Sequence, residues 1–199
     1  MTQQLPHNNL SAIILAAGQS GRMAPENKLL LPFQRKTIIQ CVMNEIIPSN
    51  FQQILVVIGF EKDRLIQILR DYPARFYYNP DYEQGMSTSI RVGVSQTKPD
   101  VDGYAIFLGD MPWIDQSMLK TLIQSFYTRP EAAIVFPAFG KRQGNPVIFS
   151  KKYKKELLSL KGDRGGRSII KRFSDQIIEV QIKNERLLLD IDTWEDYEN

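Results

Sequence analysis

The sequence predicts an α/β fold built on a mainly parallel sheet. Short continuous apolar runs alternate with stretches of helical periodicity along most of the chain. The strongest of these runs are apolar throughout, as expected of strands covered on both faces, and two of them end directly on glycine. The composition is that of a globular protein, with 43% hydrophobic and 24% charged residues in a chain of 199.

Ala12 to Ala16 reads as a short buried strand. Thr37 can cap a helix in which Ile38, Val42 and Ile46 share a face with Ile39, Met43 and Ile47. Ile54 to Ile58 is the second strand, ended by Gly59, and Asp63 to Leu69 is helical. Arg75 to Tyr78 is a weaker third strand, and Ser87 to Ser95 a helix. Tyr104 to Leu108 is a strong strand that runs into Gly109 and Asp110; Ile114 to Phe126 is helical, and Ala132 to Pro137 returns to strand. Near the end, Leu187 to Leu189 reads as a strand leading into Asp190-Ile191-Asp192, whose alternation puts both carboxylates on one face.

Residues 1–9 read as a polar tail and residues 10–199 as one domain, with a break in character near residue 140. Lys141 to Arg172 holds eleven Lys and Arg against Glu156 and Asp163, whereas Phe173 to Asn199 holds eight acids against two bases. Lys151, Lys152, Lys154 and Lys155 suit a solvated helix face, and Arg164 and Arg167, set among glycines, suit anion contacts.

Several function classes drop out on counts alone. The formal charge of +3, from 25 bases and 22 acids, is too small to indicate nucleic acid. No apolar run nears the roughly 20 residues that cross a bilayer, and the first nine residues lack the apolar core of a secretory signal; a cytoplasmic location is expected. A single cysteine, Cys41, excludes intrachain disulfides and cysteine-based zinc sites, and the single histidine, His7, lies in the tail. Chemistry here falls to carboxylates, cations and backbone amides.

The segment Leu15-Ala16-Ala17-Gly18-Gln19-Ser20-Gly21-Arg22-Met23 follows a buried strand directly, with Lys28 five residues on. Glycines at the carboxyl end of a strand let backbone N–H groups approach and cradle phosphate oxygens, and Arg22 and Lys28 add charge for a triphosphate. No Gly-Lys-Ser/Thr closes the loop, so it is not a Walker A loop, and its spacing is wrong for a dinucleotide fingerprint. Asp110, at the carboxyl end of the best strand, is placed to take Mg²⁺ and bring it to a phosphate held by that loop. Mn²⁺ uses the same oxygen ligands. Capping of the following turn by Asp110 is the alternative.

Six segments together, LAAGQSGRM with Lys28 in KLLLP, NPDYEQGMSTSIRVG, GDMPWI, GNPVIF, GDRGGR and DIDTWED, resemble the MobA-like nucleotidyltransferase family, and most closely its molybdenum cofactor cytidylyltransferase branch. They occur in order from Ile13 to Asp196. The resemblance implies a three-layer α/β/α Rossmann-like nucleotidyltransferase fold, with residues 10–139 binding nucleotide and residues 140–199 supplying the acceptor site and closing strands. Leu15, Ala16, Ala17, Gly18, Gly21, Arg22 and Lys28 would hold the triphosphate, with Gly85 and Ser89 near the nucleobase, and Asp110 and Asp192 would hold the metal. Ala17 points to CTP, because LAAG resembles the cytidylyl enzymes and LAGG the guanylyl ones. Gly144, Asn145, Pro146, Asp163, Gly165, Gly166 and Arg167 would face the phosphate and pterin of molybdopterin.

The implied reaction joins the terminal phosphate of molybdopterin to the α-phosphorus of CTP and releases pyrophosphate, with Arg22, Lys28 and Asp110 as the catalytic groups and a molybdenum hydroxylase as the onward partner. The nucleophile is already anionic, so no general base is needed. A cytidylyl or uridylyl transferase for another phosphorylated acceptor, or a non-catalytic molybdenum cofactor maturation partner, are the alternatives. Three positions depart from the family pattern: Ala24 stands for Gly, Asn145 for His and Trp194 for Pro.

Overall fold

The structure is a computed structural model that describes residues 8–130, 133–163 and 165–198; His7, Ala132 and Arg164 therefore lie outside the described residues. In chain order the elements are β1 (Leu10–Ala16), β2 (Pro32–Phe33), β3 (Lys36–Thr37), α1 (Ile38–Ile46), β4 (Gln53–Ile58), α2 (Lys62–Leu69), β5 (Arg75–Tyr78), α3 (Met86–Ser95) and β6 (Gly103–Leu108). The later part contributes α4 (Gln116–Phe126), β7 (Ile134–Phe139), β8 (Arg142–Gln143), β9 (Val147–Ser150), α5 (Lys154–Leu158), α6 (Arg167–Arg172), β10 (Ile177–Gln181) and α7 (Trp194–Glu198). β2 and β3 form a separate two-stranded hairpin.

The main sheet runs β10-β7-β9-β6-β1-β4-β5, with β8 beside β7. β1 pairs in parallel with both β4 and β6, placing Ile13 between Leu55 and Ile106. β5 and β10 are also parallel to their neighbours, while β9 enters antiparallel between β6 and β7. The alternation of the central strands divides the core. Ala12, Ile14, Ala16, Val56 and Ile58 pack with the apolar faces of α1, α2 and α4 on one side. Ile13, Val57 and Ile106 pack with Ile90 and Val94 of α3, Leu157 of α5 and Ile169 and Ile170 of α6 on the other. The result is three layers, with β1 and β4 buried on both faces except for half-buried Leu15. Each fully buried Ile, Leu or Val contributes about 1.5–3 kcal/mol relative to exposure.

Local chemistry sets the boundaries. Thr37 and Gln40 form a capping box that starts α1 where its apolar periodicity begins. The helix expected from Ile114 starts at Gln116 instead, because the Asp115 carboxylate accepts from Met118 N at 2.7 Å and caps it. The strand expected from Ala132 runs from Ile134 to Phe139.

One element differs in kind. The strand expected over Leu187 to Leu189 is a 3₁₀ turn, Glu185–Leu188. Asn184 Oδ1 accepts from Arg186 N, which starts the turn, and Leu188 is buried against Gly144. The segment joins neither end of the sheet, where β5 and β10 are the outermost strands. The acidic residues that follow are brought in differently, by a backbone hydrogen bond from Ile191 N to Asp110 O at 2.9 Å.

Candidate active site

From β1 the sheet proceeds to β4 and β5 on one side and to β6 on the other, so the strand order reverses between β1 and β6. A crevice opens beyond the carboxyl ends at such a point. Here it is a cleft of about 370 Å³ whose lining includes Ala17, Gly18, Ser20, Gly21, Arg22 and Lys28 from the β1 side and Leu108 and Asp110 from β6.

The loop after β1 is anchored from below. Met23 and Leu29 are buried, the Asn27 carboxamide oxygen accepts from Leu29 N, and the Ser20 hydroxyl accepts from Lys28 N at 3.1 Å. Ser20 itself sits in the left-handed region (φ 55°), a conformation uncommon for non-glycine residues and concentrated at functional sites. A Cβ at Gly18 or Gly21 would meet nothing within 4 Å, and neither has positive φ. The fold itself therefore does not require glycine at these two positions, and the space beside both opens into the cleft. Ala24 has φ −53°, ψ 143°, a conformation open to any residue, so its departure from glycine bends nothing.

The charged groups converge on one point. Lys28 Nζ lies 2.6 Å from Asp110 Oδ2 and 2.7 Å from Asp192 Oδ1, and Arg22 Nη2 lies 3.0 Å from Asp192 Oδ2. Side-chain exposures of 13% for Lys28 and 16% for Asp110 show that this pair is largely sheltered from water, whereas Arg22, at 68%, reaches outward. Burial pulls the Lys28 ammonium down, and the Asp110 and Asp192 carboxylates more than offset it, so its pKa stands above the ordinary lysine value. Asp190 completes the cluster: one carboxylate oxygen from each of Asp110, Asp190 and Asp192 lies within 4.8 Å of the others. Burial, then the charges of Asp110 and Asp192, push Asp190 above the usual carboxylate range.

These oxygens suit a hard divalent cation such as Mg²⁺ or Mn²⁺. Asp110 Oδ1 is buried with no hydrogen-bond partner among the described residues, as expected of an atom reserved for a ligand. Asp192 is fixed from behind, its backbone N–H donating to Asp196 Oδ2, which also accepts from Thr193 N and the Thr193 hydroxyl. The Thr193 hydroxyl leads the contacts that hold Asp196 below the usual carboxylate range. Trp194 is the first residue of α7, where proline is also favoured, so that departure is structural.

The opposite wall is α3. Asn79, 1% exposed, donates from Nδ2 to Thr88 Oγ1 at 2.8 Å and to Ser89 Oγ at 2.9 Å, fixing the Ser89 hydroxyl at the cleft wall. Gly85 has φ +104°, and a Cβ there would lie 2.8 Å from Gly162 C and 2.9 Å from Asp163 N. Only glycine admits that approach. It lets Gly162 O and Asp163 Oδ1 accept from Ser87 N and Met86 N, so Gly162 and Asp163 cap α3.

A second cleft of about 270 Å³ adjoins the first, sharing Met86, Leu108, Asp163 and Asp190 with it. Gly144, Asn145, Gly165 and Arg167 line it, together with Arg142 and Gln143.

The structure thus assembles most of the expected residues and redirects four. Leu15, Ala17, Gly18, Gly21, Arg22, Lys28, Gly85, Ser89, Asp110 and Asp192 line the first cleft. Ala16 does not: its side chain alternates into the core. Pro146 is buried at the start of β9, and Gly166 is held against the Phe149 ring, where a Cβ would come within 2.6 Å of Cζ; neither lines the second cleft. Asp163 does line it, yet one carboxylate oxygen is committed to capping α3. Asn79 and Asp196 were not singled out from the sequence, although each stands inside a segment that was, NPDYEQGMSTSIRVG and DIDTWED.

A nucleotide-sized cleft at the switch point, with a glycine-containing cation loop facing clustered carboxylates, defines a nucleotide-binding α/β protein built to handle phosphate charge. The profile of the MobA-like NTP transferase domain matches residues 12–177, and the chain belongs to that family. It is 30% identical to the purine catabolism protein PucB of Bacillus subtilis, over 95% of this chain and 94% of that one. It is 27% identical to the molybdenum cofactor cytidylyltransferase of Escherichia coli, over 94% and 93% of the two chains. Among solved structures, Rv0371c of Mycobacterium tuberculosis superposes with a TM-score of 0.86 at 25% identity, covering 97% of both chains. The protein is a nucleotidyltransferase of the MobA-like family, related to the molybdenum cofactor nucleotidyltransferases. Among the described residues, no helix is long and apolar enough to cross a membrane.

Proposed function

We propose that the protein transfers CMP from CTP to the terminal phosphate of molybdopterin, giving molybdopterin cytosine dinucleotide and pyrophosphate. The observation that carries this reading is that Arg22 and Lys28, both on the loop after β1, meet the carboxylates of Asp110, Asp190 and Asp192 where two clefts adjoin. The first cleft takes the nucleotide: the backbone at Ala17, Gly18 and Gly21 receives the triphosphate, and Ser89 faces the base. The second takes the acceptor, with Arg167 and Arg142 for its phosphate and Asn145 and Gln143 as hydrogen-bonding amides.

An acceptor phosphate oxygen bonds to the α-phosphorus while the bond to the β-phosphate bridging oxygen breaks. Because the nucleophile is an anion, the site removes no proton, and its work is positioning and charge neutralisation. Lys28 and Arg22 steady the charge that develops on the leaving pyrophosphate. Asp110 and Asp192 would hold Mg²⁺, or Mn²⁺ in its place, which when bound neutralises phosphate oxygens. The dinucleotide would pass onward to a molybdenum hydroxylase.

The test is pyrophosphate release from CTP, GTP, ATP and UTP in Mg²⁺, with and without molybdopterin. Release confined to CTP plus molybdopterin is expected. Folded protein that releases nothing with any nucleotide and intact molybdopterin overturns the reading. One observation favours a second reading, another phosphorylated acceptor: Asn145 lines the second cleft at the position where the family motif carries His. Release with CTP and a different phosphorylated acceptor would establish it.

A further inference from the structure

The ion pairs at the site set two requirements against each other. For the proposed reaction, Lys28 and Arg22 must face the triphosphate, and Asp110 and Asp192 must face a divalent cation. In the structure these four groups face one another, with Lys28 Nζ 2.6 Å from Asp110 and 2.7 Å from Asp192, and Arg22 3.0 Å from Asp192. An ammonium at those distances stands in the coordination space of a cation shared by both carboxylates. Each carboxylate in turn stands where a phosphate oxygen would satisfy the lysine. We propose that Lys28, assisted by Arg22, is a built-in counter-ion that keeps a divalent cation out of the Asp110–Asp192 pair until a nucleoside triphosphate draws the two cations away.

This deepens the functional reading above and rests on it for the identity of the triphosphate. The balance of charge supports the exchange. A divalent cation that entered alone would take both carboxylates from Lys28 and leave its sheltered ammonium without a counter-charge. The displacement is therefore favoured as a swap, in which phosphate takes the lysine and the metal takes the carboxylates. The unpartnered Oδ1 of Asp110 offers the metal a first contact before the swap. Binding of metal and nucleotide is then strongly coupled, and by linkage each raises the affinity for the other by the same factor.

Isothermal titration of nucleotide-free protein with Mn²⁺ tests this without any turnover. Lys28→Met keeps the length of the side chain and removes the charge, and it is expected to bind Mn²⁺ at least roughly tenfold more tightly than wild type. The enhancement of Mn²⁺ affinity by CTP, large in wild type, is expected to shrink in the variant. Equal or weaker Mn²⁺ binding by folded Lys28→Met overturns the proposal, because a lysine that merely steadies phosphate has no reason to oppose the metal. Should that variant fail to fold, Arg22→Met carries the test, since Arg22 is mostly exposed; about threefold tighter Mn²⁺ binding is expected from loss of a screened charge, and unchanged affinity overturns the proposal. Failure of the functional reading shows elsewhere, in wild-type protein that binds Mn²⁺ and releases no pyrophosphate.

Discussion

Asp110 shows how much one side chain here depends on its neighbours. One oxygen is paired to Lys28 at 2.6 Å, and the other is buried without a partner among the described residues. Asp110→Asn keeps the shape and removes the charge, so Lys28 loses its best-sheltered contact and the cluster one of its three carboxylates. Pyrophosphate release from CTP and molybdopterin is expected to fall at least roughly 100-fold, the scale of losing one preorganised electrostatic group, with an unchanged circular dichroism spectrum. Near-wild-type turnover in a folded Asp110→Asn protein would remove Asp110 from the reaction. At this scale the site was partly legible. Arg22, Lys28 and Asp110 stand out because charged residues directly after buried strands fall at the rim of a parallel sheet. Asn79 does not, because its role depends on Ser89 and Thr88, which reach it only once α3 has packed.

Elements follow the same rule of local against non-local information. β1, β4, β6, α1 and α4 were legible because continuous apolar runs, Thr37 and the helical period all act within a few residues. The insertion of β9 between β6 and β7 was not, since strand order is fixed by packing and not by any residue in Val147–Ser150. The 3₁₀ turn at Glu185–Leu188 read as strand for a similar reason: three consecutive leucines look apolar and extended, and only the tertiary contact of Leu188 with Gly144 and the Asn184 cap decide otherwise. The junction of α3 with the 162–163 turn offers a sharp test. Gly85→Ala places a methyl against backbone that cannot yield, in a φ region essentially reserved for glycine. It is expected to cost about 1–3 kcal/mol, lowering the melting temperature by several degrees. Because α3 would part from Gly162 and Asp163, the KM for nucleotide should rise as well. A melting curve and KM that match wild type would show that this contact positions nothing.

On the scale of the whole molecule, the chain returns across more than 160 residues to set Asp192 against Lys28 and Arg22. The same return seats Asp190 beside Asp110 and Asp192, where burial and two like charges oppose its ionisation. Its folded pKa is raised above the ordinary carboxyl value of 3.8, so its contribution to stability is fully present below that value. That contribution is lost as pH rises through the folded pKa, and at neutral pH the fold carries an ionised Asp190 at a penalty. Asp190→Asn removes the penalty while keeping the shape. It is expected to stabilise the protein at pH 7 by about 0.5–2 kcal/mol, as substitutions at electrostatically strained functional sites commonly do, which is a few degrees in a chain of this size. The advantage should narrow as the pH is lowered through the folded pKa, where wild-type Asp190 takes up its proton. Asp196 works in the opposite sense: its pKa is lowered by the Thr193 hydroxyl, so the stability it supplies is present above 3.8 and lost as pH falls through its folded value. Comparing wild type with Asp190→Asn at each pH cancels the Asp196 contribution, leaving the difference in melting temperature to report on Asp190 alone. A variant no more stable than wild type at pH 7, or one whose advantage grows on acidification, would mean that the three carboxylates do not repel one another in the folded protein.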